Sequence, residues 1–253
     1  MKFIEAFSIK KGDVVALAGA GGKTTTMFAI GQEAIKQGWK VLLTTTTRIF
    51  APEQEQMLKL IIESSPERLL SEIKSNLASF PLVVAGVGLD RENKLKGLDK
   101  DFIAELPGTG VDLIIVEADG AAHKPFKAPR EGEPVMPDTA TLVVPVVGID
   151  CLGKPLNREY THRPEIIASL ASMNIGELVT GQAVARVLLH SQGYGKDISQ
   201  ESRRWLPFIN KVESTIALNN AREVAGLLGR GGAKRVAVGA AQAADPVIEV
   251  LAF

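Results

Sequence analysis

The sequence predicts an α/β protein in three layers: a mainly parallel sheet covered on both faces, with a helical insertion. Three observations carry that expectation. Short apolar runs recur along the chain, and most are continuous rather than alternating, as strands buried on both faces must be. Segments with apolar residues at helical spacing separate them. At 253 residues and 45% apolar side chains, the chain can bury a full core.

Taken in order, Val14–Ala18 reads as the first buried strand. Thr24–Gln37 follows as a helix with Met27, Ile30 and Ala34 on one face and Gly38 as its stop. Trp39–Thr44 is the next strand, so the opening is a βαβ unit. Two amphipathic segments come next. The second has Ser65 as cap and Pro66 at the first helical position, with Leu69, Leu70, Ile73 and Leu77 behind them. Leu82–Val87, Asp112–Glu117, Leu142–Val147, Leu206–Asn210 and Arg235–Gly239 supply the remaining strands. Between Gly148 and Trp205 the pattern turns helical, with Pro164–Met173 and Gly181–His190 as helices and SQGYGK after them. Residues 1–253 therefore read as a single domain with a helical insertion or lid at about 150–204.

Composition narrows the function. The 29 basic residues balance the 29 acidic ones, so no overall field draws the chain to nucleic acid or a membrane surface. Cys151 is the one cysteine, which excludes an intramolecular disulfide and a cysteine-built zinc site. His123, His162 and His190 lack the spacing of a zinc site. The opening MKFIEAFSIKKGD lacks a signal peptide's apolar region, and no run of about 18 uncharged apolar residues occurs. The expectation is a soluble cytoplasmic protein.

The chemistry begins at VVALAGAGGKTTT, Val14–Thr26. A phosphate-gripping loop needs glycines that let amides point inward, a lysine for the outer phosphates and a hydroxyl for magnesium. Gly19, Gly21, Gly22, Lys23, Thr24 and Thr25 provide these, although Leu17 stands where the early glycine of G-x-x-x-x-G-K-[ST] belongs. A strand before and a helix after supply the context that the motif requires. The shortened G-x-x-G-K-T-T form resembles the loop of Mur-type ligases.

Other polar groups converge on the same sheet edge. DLIIVEADG, from Asp112 to Gly120, is an apolar strand ending in Glu117 and Asp119, which at the carboxyl end of a parallel strand face the crevice holding Lys23. With Thr24, Glu117 is the expected magnesium ligand, and Glu117 or Asp119 the residue that orients water. The TTTTR of Thr44–Arg48 ends the second strand, with Arg48 as a cation for developing charge; threonine also suits a strand by propensity alone. WLPFINKVES presents Asn210, Lys211 and Glu213 after a strand, similar to the N-K-x-D base motif of GTPases but with glutamate for aspartate. A strand running into a helix capped by Ser214 explains it equally. VAVGAAQ then occupies the place of a base-contacting loop.

From His123 to Pro137 the chain is polar and stiffened by prolines, so it reads as a loop starting at the acids and suited to a second substrate, with His123 and Lys127 as the residues to contact it. THRPE, with His162, Arg163 and Glu165, reads as a helix cap and salt-bridge cluster.

LAGAGGKTTT, LTTTTRIF, VEADGAAHKPFKAP with EPVMP, THRPE and FINKVE occur in one order over most of the chain, and together they resemble the YqeC family, accessory proteins of selenium-dependent molybdenum hydroxylases. The resemblance implies a P-loop NTPase-like fold, GTP or ATP with Mg²⁺ as ligands, and a part in maturing a molybdenum enzyme, with its cofactor or the hydroxylase as partner. It implies nucleotide contacts at Gly21, Gly22, Lys23, Thr24 and Thr25, and an acid role at Glu117 or Asp119. Two other functions remain open at this point: a Mur-like ligase or small-molecule kinase, and a nucleotide-binding scaffold that performs no hydrolysis.

Overall fold

Alternation within the first strand lays out the layers. Every residue of β1 (Val14–Gly19) is buried, yet Val15 and Leu17 enter one core while Ala16 and Ala18 enter another. Neither face meets water, which is why the run is apolar throughout. The computed structural model describes residues 1–52, 57–198 and 202–253. Its sheet uses β2 (Val41–Thr45), β3 (Leu58–Ile62), β4 (Leu82–Gly86), β5 (Leu113–Glu117), β6 (Leu142–Gly148), β7 (Phe208–Asn210), β8 (Arg235–Gly239) and β9 (Val247–Ala252). Their spatial order is β9-β8-β7-β6-β1-β5-β2-β4-β3, with Arg204–Trp205 pairing with β6 ahead of β7. All neighbours are parallel except β8 and β9.

Against the Leu17 face pack α1 (Phe3–Ala6) and α2 (Lys23–Lys36), through Phe3, Phe7, Met27 and Ile30. The opposite face is covered in two parts. Leu69 and Ile73 of α3 (Pro66–Asn76) cover β2, β4 and β5. The other part takes α4 (Pro164–Ala171), α5 (Gly181–Leu189) and α6 (Thr215–Arg230) against β6, β7 and β8. Outside the layers, Arg48–Phe50, Lys94–Lys96 and Gly88–Leu89 form a small antiparallel sheet.

The structure departs from the sequence expectation at several points. Part of the first amphipathic segment is the parallel edge strand β3, while residues 53–56 lie outside the described residues. Edge strand β9 alternates only weakly because much of it is exposed or half-buried, so the eye passes over it. Pro207 offers no N–H to the ladder, and the expected Leu206–Asn210 strand shortens to Phe208–Asn210. The described part of residues 150–204, expected as a helical insertion or lid, packs into the layers: Ile167, Val184, Val187 and Leu188 share one core with Val143 and Val147 of β6.

The first turn of the chain is fixed by three aromatic rings. Phe3 meets Phe7 at 5.1 Å and Phe208 at 5.3 Å, both edge to face, and all three rings are fully buried. Phe3→Ala is expected to lower the unfolding free energy by about 3–5 kcal/mol, read from urea denaturation; a loss below about 1 kcal/mol would mean that α1 contributes little to the core.

Candidate functional site

After β1 the chain turns through Gly19, Gly21 and Gly22 at φ 91°, 80° and 124°. Only glycine serves at Gly22, where a Cβ would also collide with the Asn210 amide. The first amides of this turn are satisfied inside the fold. Gly19 N–H donates to Asp119 Oδ1 (3.0 Å), Ala20 N–H to the Val146 carbonyl (2.9 Å) and Gly21 N–H to the Lys124 carbonyl (3.0 Å). The amides of Gly22, Lys23, Thr24 and Thr25 have no acceptor among the described residues. The open amides thus begin later than the motif alone suggests, and Gly19 and Gly21 shape the turn.

Three other helices treat their first turns differently. Ser65, Thr180 and Ser214 cap α3, α5 and α6 by accepting from Arg68, Ala183 and Ala217 N–H. No side chain caps α2. Its free N–H groups and dipole form an anion site facing the cleft.

Around that helix end lie the lysine, the hydroxyl and the acid. Lys23 is buried and folds back: its Nζ donates to the Gly19 carbonyl (2.7 Å) and lies 3.5 Å from Glu117 and 3.3 Å from Asp119. Thr24 Oγ1 donates to Glu117 Oε2 at 2.6 Å. Burial pushes the Glu117 carboxyl above its usual range despite the opposing charge of Lys23. Strand register explains the meeting, since Glu117 stands beside Leu17 of β1 and Thr45 of β2.

Asp119 sits deeper, fully buried, and does not line the cleft. Besides Gly19 N–H it accepts from Tyr194 Oη at 3.0 Å and pairs with Lys127 Nζ at 2.9 Å. Lys127, itself fully buried, also bonds the Gly120 carbonyl (2.6 Å) and Glu133 Oε2 (2.9 Å). Arg163 grips Glu133 with its two terminal guanidinium nitrogens, at 2.6 and 2.8 Å. Burial would raise the Glu133 carboxyl, but the bonds from Arg163 and Lys127 outweigh it and hold it at about 2, against an ordinary 4.5. So Lys127 anchors the turn from within and is not a surface contact for a second substrate.

The cleft measures about 1060 Å³ and carries seven basic residues, Lys23, Arg48, Lys94, Lys124, Arg130, Arg163 and Lys211, against the acids Glu117, Glu131 and Glu133. A neutral chain has gathered its cations where the open amides point. His162 also lines it, and burial, followed by the charges of Arg163 and Lys127, pushes its imidazole pKa down. Of the TTTTR run, Thr44 and Thr45 hydroxyls bond the Ala85 and Glu117 carbonyls within the sheet, while Thr46, Thr47 and Arg48 reach the cleft.

At the other end, the Asn210 amide donates to the Gly21 carbonyl (2.8 Å) and its Oδ1 accepts from Ala241 N–H (2.8 Å), tying the glycine turn to the VAVGAAQ loop. Lys211 lines the cleft and pairs with Asp150 Oδ2 at 2.7 Å. Glu213 is exposed and does not line it. Sequence reasoning also passed over Phe50, Lys94, Tyr194 and Asp150, and although it placed Arg163 in a cap and salt-bridge cluster, it did not name Glu133 as the partner. Of these, Tyr194 had a signal: glycines on both sides, Gly193 and Gly195, whose Cβ positions would strike the Val187 and Leu189 carbonyls. Among the described residues no cluster of three or more His, Cys, Asp or Glu could hold a metal alone, and no helix is long and apolar enough to cross a membrane.

A parallel sheet, a glycine turn opening a helix on Lys23–Thr24, and an acid ending the adjacent strand define a P-loop NTPase-like protein. More narrowly, the chain belongs to the YqeC protein family, which it matches over residues 15–165. It is 29% identical over 204 residues to the Escherichia coli (strain K12) protein described as "Uncharacterized protein YqeC", covering 80% of this chain and 77% of that one. Among solved structures, the MinD cell division protein of Aquifex aeolicus superposes with a TM-score of 0.47 at 16% identity, over 86% of this chain and 79% of that one.

The Glu133 cluster makes a stability prediction. Its folded pKa lies below the unfolded one, so its contribution is present above pH 4.5 and lost as the pH falls through about 2. That contribution is on the order of 3 kcal/mol. Glu133→Gln is expected to remove about 3–5 kcal/mol at pH 7 by leaving buried Lys127 and Arg163 short of a carboxylate, and to flatten the fall in stability between pH 5 and 2, both read from urea melts.

Proposed function

We propose that this chain binds a nucleoside triphosphate with Mg²⁺ at the Gly19–Thr25 turn and hydrolyses it in the service of molybdenum hydroxylase maturation. The observation that carries the reading is the row of four open amides, Gly22 to Thr25, beside a lysine and a hydroxyl–carboxylate pair. The maturation role rests on the family resemblance of the motifs alone.

The donor set fits magnesium. Thr24 Oγ1 and Glu117 Oε2 offer hard oxygens 2.6 Å apart, and this ion takes one or two protein ligands plus phosphate and water oxygens rather than a full protein cage. When bound, it neutralises phosphate charge and orders the oxygens around the terminal phosphorus. Lys23 leaves the Gly19 carbonyl and extends along the phosphates, an exchange of one partner set for another. The amides of Gly22–Thr25 hold the phosphate oxygens, and Glu117 aligns the attacking water. Asp119, enclosed by four partners, keeps the turn in register. Lys211 borders the base, and buried Asn210 behind it holds the Gly21 carbonyl. Since Glu213 points to solvent, Glu213→Ala is expected to leave the ratio of ATP to GTP affinity unchanged.

One observation favours a second reading, transfer of the terminal phosphate to an acceptor as in a Mur-like ligase or small-molecule kinase: the cleft continues past Glu117 to Arg48 and His123. Phosphate release with nucleotide and Mg²⁺ alone separates hydrolysis from transfer. Binding without turnover under either condition leaves the scaffold reading.

Calorimetry with ATP and GTP, each with Mg²⁺, tests the common premise. Thr24→Ala is expected to lower Mg²⁺-dependent turnover by about 10²-fold, the scale of a lost transition-state contact, with little loss of stability. If neither nucleotide binds or raises the Tm, the proposal fails.

A further inference from the structure

A nucleotide placed as above fills one side of the cleft. Along the sheet, β7 carries Asn210, β1 the glycine turn and β5 Glu117, and β2 runs on into Thr46–Phe50. Four inter-strand steps separate β7 from β2, roughly 19 Å at about 4.8 Å each. A triphosphate gripped over β1 with its base at β7 directs its last phosphate toward β5, and the β2 side stays open.

That side has its own chemistry. Phe50 is 49% exposed, yet His123 stacks on it with ring centroids 5.5 Å apart and planes at 29°, and Lys94 Nζ lies 5.0 Å from its centre. Ala122 and His123 hold consecutive positive φ values, 47° and 58°. Neither is glycine, so the turn that carries the imidazole is strained, as ligand clamps often are. Arg48 and Arg130 side chains are 65% and 69% exposed. Their partners are replaceable: Asp90 is 3.5 Å from Arg48, and Glu133 already holds Lys127 and Arg163. Exposed pairs of this kind yield readily to a better anion.

We propose that this outer lobe is a second ligand site for a planar aromatic anion, a ring system bearing phosphate or carboxylate, stacked on the Phe50–His123 pair and held by Arg48, Lys94 and Arg130. The exposed rings select a flat partner, and the two guanidinium forks match a phosphate or carboxylate. A ligand seated there lies on the terminal-phosphate side, the position of an acceptor or co-substrate. Its being the second ligand rests on the proposed nucleotide site; the lobe itself does not.

Riboflavin 5′-phosphate serves as probe, because stacking quenches its fluorescence and riboflavin is its uncharged counterpart. Quenching is expected to saturate at micromolar concentration. Riboflavin, Phe50→Ala and the double variant Arg48→Ala/Arg130→Ala should each weaken binding about tenfold or more, the scale of one lost stack or charge contact. Nucleotide affinity of Phe50→Ala should match the wild type. Titration without nucleotide reads the lobe alone, so failure of the nucleotide site shows separately, in calorimetry. No quenching up to millimolar probe, quenching indifferent to Phe50→Ala, or stoichiometric displacement of the probe by Mg²⁺–ATP or Mg²⁺–GTP would each overturn the proposal.

Discussion

One buried carboxylate organises the site. Asp119 has no contact with water, and an ionised carboxylate in that position is tolerable only if the protein replaces its hydration shell. Gly19 N–H, Tyr194 Oη, Lys23 and Lys127 do so from four elements. Each bond fixes a different part: the start of the glycine turn, the end of the helical segment, the lysine that opens α2, and the loop behind the cleft. Losing one partner weakens the compensation of a charge in a medium of low polarity, so the four elements are coupled through Asp119.

The same arrangement explains why the cleft can be so basic in a chain of no net charge. Its acids are mostly occupied from behind: Glu117 by Thr24 and Lys23, Glu133 by Lys127, Arg130 and Arg163. Apart from Glu131, what remains toward solvent is mainly cationic, beside the open amides at the start of α2. Field, dipole and glycine geometry therefore favour the same guest, a polyanion.

Much of this was legible in the residues. Continuous apolar runs gave most central strands because burial on both faces leaves no alternation to misread, and Lys23, Thr24 and Glu117 meet because parallel strands bring their carboxyl ends to one edge. Illegible were features set by partners distant in sequence. Lys127 looked like a surface cation of a polar loop and is enclosed by Asp119 and Glu133. Arg163 is the cap-position, ion-paired residue expected of THRPE, but its partner Glu133, 30 residues back, could not be read from the sequence. Edge strand β9 lacks the double burial that marks its neighbours, and Phe50 acquires meaning only from His123 across the cleft.

The single cysteine is a core residue, not a reactive thiol. Cys151 lies wholly inside the core, and burial pushes its thiol well above neutrality. Thiol chemistry at Cys151 would first require the core around it to open.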